Sequence, residues 1–111
     1  MRARLTVATV STLFLAASPA FGVSRLYSYS GSDFSVNDST GRYIDACDRE
    51  NDGHNVRGDW VRTGGVSGSI TENGGSGECA RAALSTVVYR HRIVEIVPVT
   101  SDEEGPWKYP T

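Results

Sequence analysis

Two cysteines, Cys47 and Cys79, limit how this chain of 111 residues can fold more than any other feature. A domain of this size buries only roughly 60 to 65 per cent of the surface that its unfolded chain exposes, so a covalent cross-link adds much to its stability. In an oxidising compartment the two thiols are expected to form a disulfide. Closing the loop from Cys47 to Cys79 in this way stabilises the domain by roughly 3.5 to 4 kcal/mol. A metal-binding or reactive thiol pair requires closer spacing or further Cys and His ligands. The sequence therefore predicts a single disulfide-bonded domain.

The start of the chain predicts export to such a compartment. A short basic start precedes the uncharged apolar run Leu5–Ala17, and a proline and small residues follow. This order is typical of a secretory signal peptide, with cleavage after Ala20 or after Gly22. The apolar run is shorter than the roughly 18 to 20 residues that cross a bilayer, and no later segment reaches that length. We therefore expect residues 1–20 to be removed and residues 21–111 to form one secreted, extracellular domain that is not inserted in the membrane.

The charge of the mature chain argues against nucleic acid as a partner. Without Arg2 and Arg4 of the leader, nine Lys and Arg residues stand against 13 Asp and Glu residues, a net charge of −4. Binding to phosphate groups requires a concentrated positive face. The only local basic cluster is Arg90-His91-Arg92, and we interpret it as a solvated patch on a strand.

Short apolar runs separated by Gly, Ser, Thr, Asn and Asp predict strands and turns after residue 21. In the segment from Val56 to Trp60, alternate residues share a face, as expected for a sheet that is wet on one side. The segment Cys79–Leu84 is the one candidate for a helical turn. The β-branched segment Thr86–Val99 is expected to form the centre of the sheet, with a bulge or bend at Arg90–Arg92. The pattern therefore predicts an all-β fold, a small antiparallel β-sandwich or open barrel of about six strands.

The segment after Cys47 concentrates acidic residues at the spacing of a calcium-binding loop. If Asp48 is position 1, then Glu50, Asp52 and Asp59 are positions 3, 5 and 12, and a glycine occupies position 6. Oxygen ligands at alternate positions can converge on one Ca²⁺ because the chain wraps around the ion. The match is imperfect, because Glu50 is long for the third position, Asp59 is short for a bidentate ligand and neither flank reads as a helix. The alternative is a β-hairpin whose Asp52-Gly53 pair forms the turn while the charges face water.

Catalytic motifs are weaker. The chain contains two histidines, His54 and His91, and no nucleophile elbow, zinc-protease motif or phosphate loop. His54 together with a carboxylate could form an acid–base pair, as in small secreted ribonucleases, and Glu95 or Arg92 could complete it. The alternative is that His54 caps a turn and that His91 lies exposed on a strand.

The run Cys-Asp-x-Glu-x-Asp-Gly-His from Cys47 to His54, with the glycine- and serine-rich loop that leads into Cys79, resembles small secreted proteins of actinomycetes that have no established activity. The resemblance covers roughly Tyr43 to Tyr109. It implies an exported, disulfide-bonded, single-domain β protein, and it carries no activity, cofactor or partner. Small secreted protease and amylase inhibitors of such bacteria typically have two disulfides and a rigid exposed loop, whereas this chain has one possible disulfide.

We therefore expect a non-enzymatic secreted protein that binds an extracellular protein or glycan. Exposed aromatic residues are candidate contacts, namely Trp107, Tyr109 and Tyr27, although each of them could instead complete a small core. We expect Trp107 to dock back on the domain, because a free tail rarely keeps so large an apolar group. The alternative is a small hydrolase that uses His54 or His91, or an inhibitor of such an enzyme.

Overall fold

A computed structural model describes residues 22–111. The predicted signal peptide, residues 1–20, lies outside the described residues, and so does the first of its two predicted cleavage positions, after Ala20. Eight strands are formed and no helix occurs within the described residues. The strands are β1 (Tyr27–Ser30), β2 (Asp33–Asn37), β3 (Tyr43–Cys47), β4 (Val56–Arg62), β5 (Val66–Glu72), β6 (Cys79–Ala83), β7 (Val88–Glu95) and β8 (Glu103–Glu104).

The strands form two antiparallel sheets of four strands each. The first sheet has the order β1-β2-β3-β6, and the second has the order β5-β4-β7-β8. The prediction of an all-β protein is confirmed, and the architecture is the sandwich rather than the open barrel. The predicted number of about six strands is too low, because β6 and the two-residue β8 were not foreseen.

The prediction of a helical turn at Cys79–Leu84 is wrong, because this segment forms β6. Its alanines have a high helix propensity, but strand pairing outweighs that preference. The whole of β6 pairs with β3, and Cys47 lies directly opposite Cys79. The disulfide between these two residues is confirmed. On the outer face of the sheet, Arg81 donates two hydrogen bonds to the Asp45 carboxylate.

The core lies between the sheets and follows the alternation of the strands. Ile44 of β3 packs with Val88 of β7, and the ring of Trp60 lies against them. A second cluster contains Val56 and Ile93. The predicted inward face of β4 is therefore confirmed, since Val56 and Trp60 share it, while Arg57 and Asp59 of the same strand form an ion pair.

Strand β7 contains the expected irregularity, one residue earlier than predicted. The pairing with β4 shifts so that Val61 lies opposite Arg90 while Arg62 lies opposite Val88, which places a bulge at Tyr89. The bulge reverses the alternation, and His91 becomes completely buried. The expectation that His91 is exposed on its strand is therefore wrong, although its arginine neighbours do lie on the outer face.

His91 is the centre of a polar network between the two sheets. Its Nδ1 accepts a hydrogen bond from the Ser35 hydroxyl at 2.7 Å, and its Nε2 donates to the Asn37 side-chain oxygen at 3.1 Å. This assignment follows because an amide oxygen can only accept. Burial lowers the pKa of His91 to about 4, so the ring is neutral at physiological pH. Every polar group of this network has a partner.

The tail docks on the domain, as predicted for Trp107. The Trp107 ring packs against the guanidinium groups of Arg90 and Arg92, at 4.0 and 4.4 Å from its centroid. Tyr109 packs edge-on against Tyr89 and stays about half exposed. No helix within residues 22–111 is long and apolar enough to span a bilayer.

Candidate functional site

The segment 48–55 carries the chain from one sheet to the other. It leaves β3 of the first sheet and enters β4 of the second, so the predicted hairpin between these strands is wrong. The predicted turn is correct: Gly53 has a φ of +76°, which glycine adopts without strain. The Asp52 carboxylate accepts a hydrogen bond from the His54 backbone N–H at 3.0 Å and closes the turn.

Four carboxylates meet where this segment crosses between the sheets. Asp33 comes from the start of β2, Glu50 and Asp52 come from the crossing segment, and Glu95 comes from the end of β7. One carboxylate oxygen of each lies within 4.8 Å of those of the other three. We call these four residues the acidic cluster.

The hydrogen bonds hold one oxygen of each carboxylate in the acidic cluster. Asp33 Oδ1 accepts from the Arg49 N–H at 2.6 Å, and Glu50 Oε2 accepts from the Ser32 N–H at 2.7 Å. Glu95 Oε2 accepts from His54 Nδ1 at 2.6 Å. Backbone and imidazole donors thus fix the orientation of the carboxylates, as outer partners do for metal ligands.

Glycine at position 31 makes room for one member of the acidic cluster. Gly31 lies at the tip of the β1–β2 hairpin with a φ of +62°. A Cβ atom at this position would collide with the Glu50 carboxylate. The hairpin tip therefore forms a cradle for the Glu50 carboxylate, and a side chain at position 31 would displace that carboxylate from its place.

Asp33 is the member of the acidic cluster that has a buried carboxylate oxygen without a hydrogen-bond partner in residues 22–111. The residue is completely buried, and its Oδ2 has no hydrogen-bond partner among the described residues. Burial raises the pKa of Asp33 to about 6; the Arg49 N–H opposes this shift, and the negative charges of Glu50, Asp48 and Asp52 add to it. An unpaired carboxylate oxygen in a buried position costs free energy unless a proton or a cation neutralises it.

The other titratable groups at this site, His54, Asp52 and Glu95, shift one another's pKa values. The hydrogen bond to Glu95 raises the pKa of His54, and the nearby Asp52 acts in the same direction. The His54 N–H bond holds the pKa of Asp52 below its ordinary value. For Glu95, the hydrogen bond from His54 lowers the pKa, but burial and the neighbouring Asp52 and Glu50 outweigh it, so the net shift is upward. The pKa shifts therefore favour a protonated His54 beside a charged Asp52, and they disfavour the charged form of Glu95.

The structure brings two of the four sequence-predicted calcium ligands into the acidic cluster. Glu50 and Asp52 belong to it, whereas Asp48 and Asp59 do not. Asp59 lies in β4 and accepts hydrogen bonds from Arg57 at 2.6 Å and from Arg92 at 3.4 Å. Its strand position directs it to the outer face of the second sheet, where arginines compensate its charge.

Asp48 has a supporting position instead. It is buried, and its Oδ1 accepts a hydrogen bond from the Glu50 N–H at 3.1 Å. Its backbone bonds to the loop before β6, since its N–H donates to the Glu78 carbonyl and its own carbonyl accepts from Gly77. Asp48 therefore ties the crossing segment to the glycine-rich loop that leads into Cys79.

An open pocket of about 220 Å³ lies between these two loops. Glu50 of the acidic cluster lines this pocket, and so does His54, the hydrogen-bond partner of Glu95. The rest of its lining is polar and includes the side chains of Asn51, Asn55 and Asn73. The pocket gives solvent and solutes a route to the edge of the acidic cluster.

Sequence reasoning missed Asp33 as a member of the site and named Glu95 only as a partner of His54. Both residues occupy inward positions of strands, where a carboxylate is rarely found without a compensating partner. A carboxylate at an inward position could be recognised in the sequence of β7, because Glu95 lies two residues after the apolar Ile93. It could not be recognised in β2, because Asp33, Ser35 and Asn37 make the inward face of that strand polar throughout.

No protein-family model matches the chain, and neither a curated protein nor a solved structure is detectably similar to it.

Proposed function

We propose that this chain is a small exported, non-enzymatic binding domain that holds one Ca²⁺ ion in the acidic cluster of Asp33, Glu50, Asp52 and Glu95. The observation that carries the proposal is Asp33, a fully buried carboxylate with one oxygen that no donor contacts among the described residues. The ion would fix the crossing segment 48–55 to β2 and β7 and so tie the two sheets together.

The distances within the acidic cluster suit a single ion. Two oxygens on opposite sides of a Ca²⁺ ion, each at about 2.4 Å, are about 4.8 Å apart. The four carboxylate oxygens lie within that distance of one another. The pairwise distances therefore meet the requirement for a single ion. The charge of the ion would offset the burial, and after it the repulsion by neighbouring carboxylates, that raise the pKa of Asp33.

The chemistry of the donors favours Ca²⁺ over other divalent ions. Carboxylate oxygens are hard ligands, whereas structural Zn²⁺ sites use Cys and His. Mg²⁺ demands near-ideal octahedral geometry and keeps several waters, which a set of ligands from three separate segments meets less easily. His54 is engaged with Glu95 through Nδ1 and supports that ligand rather than contacting the ion.

Calorimetric titration and thermal unfolding of the exported chain test this proposal. Extracellular calcium modules bind with dissociation constants of about 10⁻⁴ to 10⁻³ M, so 10 mM Ca²⁺ adds about 1.4 to 2.7 kcal/mol to the free energy of unfolding. The melting temperature should then rise by at least about 5 °C over the value in chelator. Mg²⁺ at the same concentration should have a smaller effect.

Two substitutions and a matched control locate the ion. Asp33→Asn and Glu95→Gln should abolish the calcium response, whereas Asp59→Asn, which removes an acidic residue of the original loop motif, should retain it. If Asp59→Asn abolishes the response and Asp33→Asn retains it, the ion is bound by the sequence motif and not by the acidic cluster. A melting temperature that is the same with calcium and with chelator would eliminate the proposal.

A second candidate function follows from the contact between His54 and Glu95. Their 2.6 Å hydrogen bond and the half-buried position of His54 beside an open pocket are what a hydrolytic acid–base pair requires. His91 has no access to a substrate because it is completely buried. Incubation with single-stranded RNA in chelator tests this function. Cleavage that His54→Ala abolishes would favour it. No cleavage by the parent chain, or equal cleavage by the variant, would exclude a ribonuclease that uses His54.

A further inference from the structure

The outer face of the second sheet contains a groove that is separate from the acidic cluster. Its volume is about 470 Å³, within the range of sites that hold small organic ligands. Strands β4, β5 and β7 form its floor, and the docked tail forms one wall. The side chains that matter for binding are Arg57, Asp59, Ser67, Ser69, Arg90 and Trp107.

Arg90 is the arginine of this groove whose charge is not compensated. Arg57 and Arg92 both pair with the Asp59 carboxylate, and Arg92 also reaches Glu104 at 3.1 Å. Arg90 forms no ion pair within residues 22–111. Its guanidinium lies over the Trp107 ring, and its Nη1 donates a long hydrogen bond to the Tyr109 hydroxyl at 3.4 Å. Its buried Nε has no hydrogen-bond acceptor in the described part of the chain.

The other polar groups of the groove offer both donors and acceptors. Ser67 and Ser69 are exposed on β5, opposite Val61 and Asp59 of β4. The position between them is Gly68, where the Trp60 ring occupies the place that a side chain would take. The floor thus presents hydroxyl groups and a carboxylate beside one guanidinium that has no carboxylate partner in the described residues, with an indole ring as the wall.

We propose that this groove binds a carboxylate-bearing sugar, a uronic acid residue of an acidic polysaccharide. Arg90 would bind the sugar carboxylate, because a guanidinium matches a carboxylate with two parallel hydrogen bonds. The hydroxyls of Ser67 and Ser69 and the Asp59 carboxylate would bind the ring hydroxyls. A nucleic acid is disfavoured, since binding a run of phosphates requires a concentrated positive face, whereas Arg90 is the one arginine of this groove without an ion-pair partner among the described residues.

The proposal rests on the proposed binding role but not on the cation, so its test is made in chelator. The probe is trigalacturonic acid, titrated into the exported chain by calorimetry, with neutral galactotriose as the comparison ligand. Chelator also prevents calcium from cross-linking the acidic sugar. We expect millimolar or tighter binding of the acidic trisaccharide and at least ten-fold weaker binding of the neutral one.

Two variants and a matched control locate the sugar in the groove. Arg90→Gln should weaken binding of trigalacturonic acid at least ten-fold, and Ser69→Phe should do the same by filling the groove without a change of charge. Arg25→Gln is the control, because Arg25 also stacks on an aromatic ring, that of Tyr27 in the other sheet. It should bind as the parent chain does.

Three results would overturn the proposal: no binding of the acidic trisaccharide at 5 mM, equal binding of the neutral one, or unchanged affinity in both groove variants. Because calcium binding is measured separately, failure here leaves the cation site unaffected. Equally, a chain that binds the sugar but does not respond to calcium would refute only the cation site.

Discussion

Two polar regions lie between the sheets, and strand β2 contributes to both of them. Its first inward residue, Asp33, belongs to the acidic cluster, and the next two, Ser35 and Asn37, hydrogen-bond to His91. All three are completely buried. In the His91 network each polar group has a neutral partner, whereas the acidic cluster gathers four carboxylates and leaves Asp33 Oδ2 without a partner among the described residues.

The difference separates a structural polar network from a candidate binding site. A buried network that is fully hydrogen-bonded stabilises one arrangement of the fold, and removing a member leaves the others unsatisfied. A cluster of like charges destabilises the fold until a ligand neutralises it. The same kind of substitution should therefore have opposite effects on stability in the two regions.

The largest effect is expected for His91→Ala. The change removes a buried ring and leaves the buried Ser35 hydroxyl without the acceptor that His91 provides, which should cost about 3 kcal/mol or more in the free energy of unfolding. Urea denaturation measures it. His54→Gln is the comparison and should cost much less, because His54 is partly exposed. Equal losses in the two variants would contradict the distinction between the regions.

The pH dependence of stability should show the His91 network directly. The pKa of His91 is lowered from 6.5 in the unfolded chain to about 4 in the fold, so its contribution is fully present above pH 6.5. The contribution is lost as the pH falls towards 4, and the shift corresponds to about 3 kcal/mol. Denaturation at pH 7.5, 5.5 and 4 should show this loss, and His91→Gln, which cannot titrate, should lose less. Parallel pH curves for the two proteins would refute the lowered pKa.

In the acidic cluster, removal of a buried charge should stabilise the chain. The raised pKa of Asp33 means that its charged form is disfavoured in the fold, so stability falls as the pH rises through about 6. In chelator at pH 7.5, Asp33→Asn should therefore raise the free energy of unfolding by about 1 to 2 kcal/mol. Asp45→Asn, which removes an outer-face charge paired with Arg81, provides the control and should not stabilise. A destabilised Asp33→Asn variant would mean that the carboxylate is satisfied without a cation.

The smallest effect tests the cradle for Glu50. Gly31→Ala introduces strain at a φ of +62° and pushes on the Glu50 carboxylate, so it should cost about 1 kcal/mol and weaken calcium binding several-fold. Gly65→Ala is the matched control, because Gly65 has a φ of +82° and no atom near the position of a Cβ. It should lose similar stability with no change in calcium affinity. Similar calcium affinities in both variants would separate Gly31 from the site.

Much of the fold could be predicted from local patterns, and much of the site could not. The disulfide, the turn at Gly53 and the inward face of Val56 and Trp60 depend on composition, on one residue type or on a period of two. The acidic cluster depends on residues 33 and 95, which only the pairing of whole strands brings to the crossing segment. The linear spacing of a calcium loop therefore selected Asp59, a residue that the strand directs away.

Residue His91 shows why the alternation in a strand is an incomplete guide. A single extra residue at Tyr89 turns the following side chains over, so a histidine between two arginines becomes the centre of the interior. The sequence indicated a bulge or bend in this region. It did not indicate at which residue, because a bulge is decided by the fit of two strands and not by either one alone.

The disulfide joins two strands of the same sheet, so oxidation of the cysteines adds a covalent link within one sheet and none between the two sheets. Cys47 and Cys79 link β3 to β6, and β6 is an edge strand whose only neighbour in the sheet is β3. No covalent bond within residues 22–111 connects one layer of the sandwich to the other except the chain itself. A reducing environment would consequently remove the covalent link at one edge of the first sheet, where β6 and the loop before it would depend on the pairing with β3 alone, and it would break no covalent link between the layers.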